Sequence, residues 1–215
     1  KNNTIDAKLI NSSVAITNGK SNAQINSEMA LYSYSDAKMA EGEALLKDAQ
    51  DKHEKQKQEY GEQYAATDAL ETAMFETNKQ YMRHVKLARI AFEGDKEAIN
   101  ALQLQGRRKQ TYTGWINQSS IFYKNALKND AIKAELVSMN IPEATLMAME
   151  EKIKDVHDKL TEQLKEKGEA QKATEVRDNA LEDLLDWMAK YKAVAKVAFE
   201  DDPQLIEILG IVEPS

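Results

Sequence analysis

Residues 4–104 of this chain recur as residues 111–211 without a gap, and that repeat constrains the fold more than any other feature. The stretch ARIAFEGDKEAINALQL, from Ala88 to Leu104, returns 107 residues later as AKVAFEDDPQLIEILGI, from Ala195 to Ile211. At this one offset 27 of 101 positions are identical, among them Ser12/Ser119, Asn22/Asn129, Glu59/Glu166, Gly61/Gly168 and Phe92/Phe199. A shared helical composition would not hold one offset over 101 positions or match Gly61 with Gly168. The chain therefore reads as two copies of one unit, 1–107 and 108–215, packed as one domain. Two copies of one fold commonly pack around a pseudo-two-fold axis.

Each copy reads as helical. Only 8 glycines and 3 prolines interrupt 215 residues, and Ala, Glu, Lys, Leu, Gln and Met dominate the rest. A hydrophobic share of 42% is too high for a disordered chain and supplies a real core at this length. The lack of cysteine excludes disulfides, thiolate metal sites and cysteine nucleophiles. It points to the cytoplasm, although the Lys1 start is equally compatible with an export signal removed earlier. No apolar run approaches the ~20 residues that span a bilayer. The net charge is −7 and the densest basic spot is Arg107-Arg108-Lys109, so no nucleic-acid partner is expected.

Within the second copy, Trp115, Ile116, Ser119, Phe122, Tyr123, Ala126 and Leu127 fall at helical steps, and a short helix follows over 130–139. Asn140, with Pro142 in the first turn, reads as the cap of the next helix, and Ser33 and Asp36 hold the matching places in the first copy. Leu146, Met149, Ile153, Val156 and Leu160 then run at heptad-like steps. A second run holds Ala180, Leu181, Leu184, Trp187, Met188, Tyr191, Val194, Ala195 and Ala198. Asp202-Pro203 ends that helix and starts a short one, which Gly210 closes.

Between the two runs lies a polar stretch centred on Gly168. Either the helix turns back there, or it continues straight as a rod of about 85 Å. The spacing from Leu160 to Leu181 keeps heptad phase and fits both. The turn is expected, because glycine stands at the same place in both copies (Gly61 and Gly168) and disfavours a helix interior by about 1 kcal/mol. A lone rod would also leave its apolar stripe in water. The expected fold is thus all-α: an antiparallel up-down four-helix bundle of two tandem helical hairpins, with short accessory helices at one end.

Chemistry is sparse. The chain has no G-x-S-x-G, P-loop, H-E-x-x-H or G-x-G-x-x-G pattern. Its three histidines, His53, His84 and His157, lack the glutamate three residues earlier that a di-iron bundle would use. At the offset of 107 they face Leu160, Tyr191 and Gln50, so no paired histidine site follows. Carboxylates such as Asp48, Asp51, Asp155 and Asp158 alternate with lysines, the pattern of a solvated, ion-paired face. No catalytic residue, cofactor-binding residue or metal ligand is expected on these grounds.

The C-terminal stretch GEAQKATEVRDNALEDLLDWMAKYKAVAKVAFEDDPQLIEILGI carries a G-E-x-x-x-A-T-E-x-R-D run, a D-W-M and a D-x-P-Q-L-I-E-I-L-G-I ending. On these it resembles an uncharacterised family of bacterial all-helical proteins over about residues 168–211. The first copy departs from the pattern, with Gln80 in place of Trp187 and Lys96 in place of Pro203. The resemblance implies a helical bundle with no known activity.

The leading functional expectation is a non-enzymatic helical bundle that binds another protein or itself. Its surface would centre on Leu205, Ile206 and Leu209 of the short terminal helix, which otherwise serves as an end cap for the core. The alternative is a small-molecule or lipid-binding bundle with an apolar cavity of about 300 Å³ or more near Trp187, Tyr191 and Phe199. A carboxylate metal-site enzyme is the third reading.

Overall fold

A computed structural model describes residues 4–211. Among the described residues the regular elements are α-helices, and none is a strand. They are α1 (Ile5–Ser21), α2 (Ala23–Leu31), α3 (Asp36–Ala91), α4 (Lys96–Ala101), α5 (Tyr112–Lys128), α6 (Asp130–Ser138), α7 (Glu143–Ala198) and α8 (Pro203–Ile208). Adding 107 to the bounds of α1–α4 returns the bounds of α5–α8. The caps recur as well. Thr4 Oγ1 accepts from the Ala7 amide and Thr111 Oγ1 from the Gly114 amide. Asn22 Oδ1 accepts from the amides of Gln24 and Ile25, and Asn129 Oδ1 from those of Ala131 and Ile132. Each satisfies two amides that a helix start leaves open.

The expected turns at Gly61 and Gly168 are not made. α3 and α7 are each one uninterrupted helix of 56 residues, so the tandem-hairpin bundle gives way to two long helices with shorter ones. Both glycines are exposed, with nothing within 4 Å of where a Cβ would stand. The cost of about 1 kcal/mol at one exposed glycine is too small to break a helix that strong formers continue on both sides. The stripe of each long helix is buried as well, because part of α3 and part of α7 share a core in each compact unit. The argument from an unburied rod therefore does not apply.

Asn140 and Ser33 also differ from expectation. α7 begins at Glu143, and Asn140 (φ 60°) and Ser33 (φ 73°) close the helices before them. The Ile141 amide donates back to Leu136 O and the Tyr34 amide to Met29 O, the long bond of a Schellman ending. The Asp202-Pro203 start of α8 and the closing Gly210 (φ 68°) stand as expected.

The chain forms two compact units that cut across the sequence repeats: Lys1–Tyr60 with Glu169–Ser215, and Gly61–Gly168. In unit 1, α1, α2 and α8 pack with residues 36–60 of α3 and 169–198 of α7, around Ile16, Ile25, Met29, Met39, Leu184, Trp187, Tyr191, Phe199 and Leu209. In unit 2, α4, α5 and α6 pack with residues 61–91 of α3 and 143–168 of α7, around Leu70, Tyr81, Val85, Leu102, Trp115, Phe122, Tyr123, Leu136 and Leu146.

The two cores fill the same plan with exchanged volumes. In unit 1, Trp187 lies over Gly42, where a Cβ would come 2.5 Å from the indole, and the Tyr191 hydroxyl lies against Gly19. The counterparts of Gly42 and Trp187 in unit 2 are Met149 and Gln80, and those of Gly19 and Tyr191 are Ala126 and His84. Unit 2 regains volume on α5, where Phe122 and Tyr123 stand for Ala15 and Ile16. Close packing requires such exchanges, because an interior tolerates neither overlap nor void.

Candidate functional site

In unit 1, α1 and α3 border a groove of about 630 Å³ lined by Asp6, Leu9, Ile10, Ser13, Lys47, His53 and their neighbours. Asp6, in the first turn of α1, holds α1 to α3. Its Oδ1 accepts from His53 Nε2 at 3.1 Å and from Lys57 Nζ at 3.2 Å. Hydrogen bonds from Lys57 first and His53 second hold its carboxyl below the ordinary value of 3.8. On the next turns of α3, Lys47 Nζ donates to Asp51 at 2.6 Å. The groove charges are thus largely paired among themselves. Among the exposed side chains of α1, beside polar ones such as Asn11, Thr17 and Lys20, two are apolar: Ile10 and Val14, one helical turn apart, are 62% and 40% exposed. Val14 extends this strip toward the loop after α8, since its Cγ1 lies 3.4 Å from a Cβ position on Gly210.

Unit 2 carries a groove of about 380 Å³ that includes Ile116, Ser120, Lys154 and His157. Ile116, Ser120 and Lys154 are the repeat counterparts of Leu9, Ser13 and Lys47. Each groove therefore holds a serine, a lysine and a histidine. The offset of 107 concealed the histidines, because His53 and the counterpart of His157, Gln50, are three residues apart on one helix face. Among the described residues, no histidine joins a trio of His, Asp and Glu side chains whose ligating atoms come within 4.8 Å.

The six residues singled out from the sequence come together, but inside the protein. Trp187, Tyr191, Phe199, Leu205, Ile206 and Leu209 are all buried in the core of unit 1. Trp187 and Tyr191 stack at 5.3 Å, and Tyr34 meets both edge-on. Leu205, Ile206 and Leu209 close the core, and on α8 it is Ile208 that is exposed. Burial pushes the Tyr191 hydroxyl up to about 12. That hydroxyl and Trp187 Nε1 are buried without a hydrogen-bond partner.

Two further features escaped the sequence reading. Unit 2 holds a buried polar network. His84 Nδ1 and the Tyr123 hydroxyl are 2.8 Å apart, Arg108 donates to the Tyr81 hydroxyl at 3.2 Å, and Trp115 Nε1 donates to Asn78 at 2.8 Å. Burial, and after it the charge of Arg83, lowers the His84 imidazole below its ordinary 6.5. In unit 1, Glu59 is 7% exposed. It takes Lys55 Nζ on Oε1 at 2.6 Å, while Oε2 is buried with no hydrogen-bond partner. Its repeat counterpart in unit 2, Glu166, is 6% exposed. Glu166 Oε1 accepts from Lys165 at 2.9 Å, and Oε2 is likewise buried without a partner. The identity at this position was legible in the sequence; the burial was not. No family model, curated protein or solved structure matches this chain.

Proposed function

We propose that the chain is a non-enzymatic helical protein, built by duplication, that binds another protein or assembles with itself in the cytoplasm, with no nucleic-acid partner. The observation that carries the reading is the exposed Ile10–Val14 strip on α1, which borders the groove of about 630 Å³ and reaches toward the end of α8. Apolar side chains one turn apart on an exposed helix are the usual anchors of a docked helix. The surface thus moves from Leu205, Ile206 and Leu209 to the adjoining face of α1. The lack of a catalytic constellation and the resemblance to a helical family without known activity accord with this reading.

Native mass spectrometry of the full chain, with affinity capture from its source lysate, tests it. We expect a stoichiometric partner or a defined oligomer, lost when Ile10 and Val14 are both changed to aspartate. A strict monomer without a partner, or an assembly indifferent to the double change, overturns the reading.

A second reading, a small-molecule or lipid site in the core, draws on the unpartnered Trp187 Nε1 and Tyr191 hydroxyl. Against it stand the close contacts of those two rings with Gly42 and Gly19, which leave no room at either place.

A further inference from the structure

We propose that two copies of this chain exchange repeats, residues 4–104 of one completing both units with residues 111–211 of the other, and that the turn over 105–110 is the latch that keeps a single chain closed. Each core is shared between the repeats. In unit 1, Tyr34 of the first repeat meets Trp187 and Tyr191 of the second at 5.7 and 5.0 Å. In unit 2, Tyr81 of the first repeat meets Trp115 and Phe122 of the second at 5.9 and 5.7 Å. One repeat alone therefore leaves both cores incomplete, and only the other repeat fills them. The cores depend on the sequence of that other repeat and not on which copy supplies it. Exchange of an identical element between copies keeps these contacts and changes only the hinge.

The hinge is short and held shut by two guanidinium groups. Residues 105–110 form no helix. Fully extended, such a segment reaches about 20 Å. Gln103 (φ 49°) and Gly106 (φ 71°) both take the left-handed conformation, which folds the segment back. Arg89 of α3 donates from Nε to Leu104 O and from Nη2 to Gly106 O, both at 2.9 Å. Arg108 belongs to the second repeat and is 9% exposed. It donates from Nη2 to Gln103 O at 2.6 Å and to Gln105 O at 2.9 Å, and from Nη1 to the Tyr81 hydroxyl at 3.2 Å. The bonds from Arg108 to Tyr81 and Gln103 tie the second repeat to the first and are lost when the hinge opens. Against them stands Arg108 Nε, buried without a hydrogen-bond partner, which opening returns to water.

Two repeats joined by a short segment see each other at an effective concentration on the order of 1 mM. The closed chain therefore prevails in dilute solution, and weakening the latch shifts the balance toward the exchanged dimer. The dimer does not use the Ile10–Val14 strip, so it stands or falls apart from the reading above.

The test is refolding of the full chain from urea at a concentration on the order of 1 mM, followed by size-exclusion chromatography with light scattering. Every protein carries Ile10→Asp and Val14→Asp, which silences assembly through α1. We expect Arg108→Ala and, separately, Gly106→Val to raise the dimer-to-monomer ratio about tenfold or more, because valine disfavours the left-handed conformation. Nothing lies within 4 Å of a Cβ at Gly106, so valine there acts on the turn alone and decides the matter if Arg108→Ala does not fold. Gly106→Asn, which tolerates the left-handed region, should behave as glycine does. Amide spectra of the dimer and the monomer should coincide except around residues 103–111. A Gly106→Val chain that dimerises no more than the glycine form, or a dimer whose spectral changes lie away from the hinge, overturns the proposal.

Discussion

His84 shows how one side chain fixes a pH response. It is buried against the Tyr123 hydroxyl, and burial, with Arg83, keeps its imidazole below the ordinary 6.5. The unfolded chain takes up a proton near 6.5 that the folded unit resists. Stability is therefore complete above that value and is lost as the pH falls through 6.5 toward the folded value, by at most about 1.4 kcal/mol per pH unit. Urea melts between about pH 7.5 and 5.5, a window above most carboxylate titrations, should show that loss. His84→Gln should flatten the slope in that window, and an unchanged slope would place the titrating group elsewhere. Nothing in the sequence around His84 signals this. Its partner Tyr123 lies 39 residues away, and the copy has Tyr191 at the equivalent position.

Among the elements, the long helices depend on what their glycines face. Gly61 and Gly168 open to solvent, while Gly42 lies under the Trp187 ring. Alanine at 61 or 168 should stabilise the protein by about 0.5–1 kcal/mol through helix propensity. Alanine at 42 should destabilise it by about 1–3 kcal/mol through overpacking. Chemical denaturation of the three single variants decides this, and a destabilising Gly61→Ala would revive a special role for that position. From sequence the three glycines look alike, and the repeated pair looked like the turn. The burial pattern that separates them comes from residues more than a hundred positions away, such as Trp187 beside Gly42. Helix ends were more legible. Thr4, Asn22, Asp95, Thr111 and Asn129 cap amides within three residues of themselves, and α8, whose Asp202 makes no side-chain cap bond, starts on Pro203 without a distant partner.

For the whole molecule, the compact units and the sequence repeats divide the chain differently, with an experimental consequence. Residues 61–168 form one contiguous unit, while residues 1–107 take in only part of each. The fragment 61–168 should fold into a helical protein with a cooperative thermal transition. The fragment 1–107 as a monomer should not, because Leu181, Leu184, Trp187, Tyr191 and Phe199 complete the core around Ile16 and Met39. Circular dichroism melts of both fragments at low concentration measure this, and a cooperative monomeric transition for 1–107 would restore the repeat as the folding unit.

The sequence by itself determined the helical class, the repeat at an offset of 107, and the start of the last short helix at Asp202-Pro203, but not the caps it placed at Asn140 and Ser33. These rest on propensity, periodicity and hydrogen bonds that close within a few residues. It also marked the apolar set at the C-terminal end, whose members do gather in one core. Only the tertiary structure decided that α3 and α7 run unbroken, that each unit draws on both repeats, and that Glu59 is buried while Ile10 is exposed. The reason is one of range. A helix is stabilised along its own length, but which of its faces meets water depends on side chains that the chain brings back from far along the sequence.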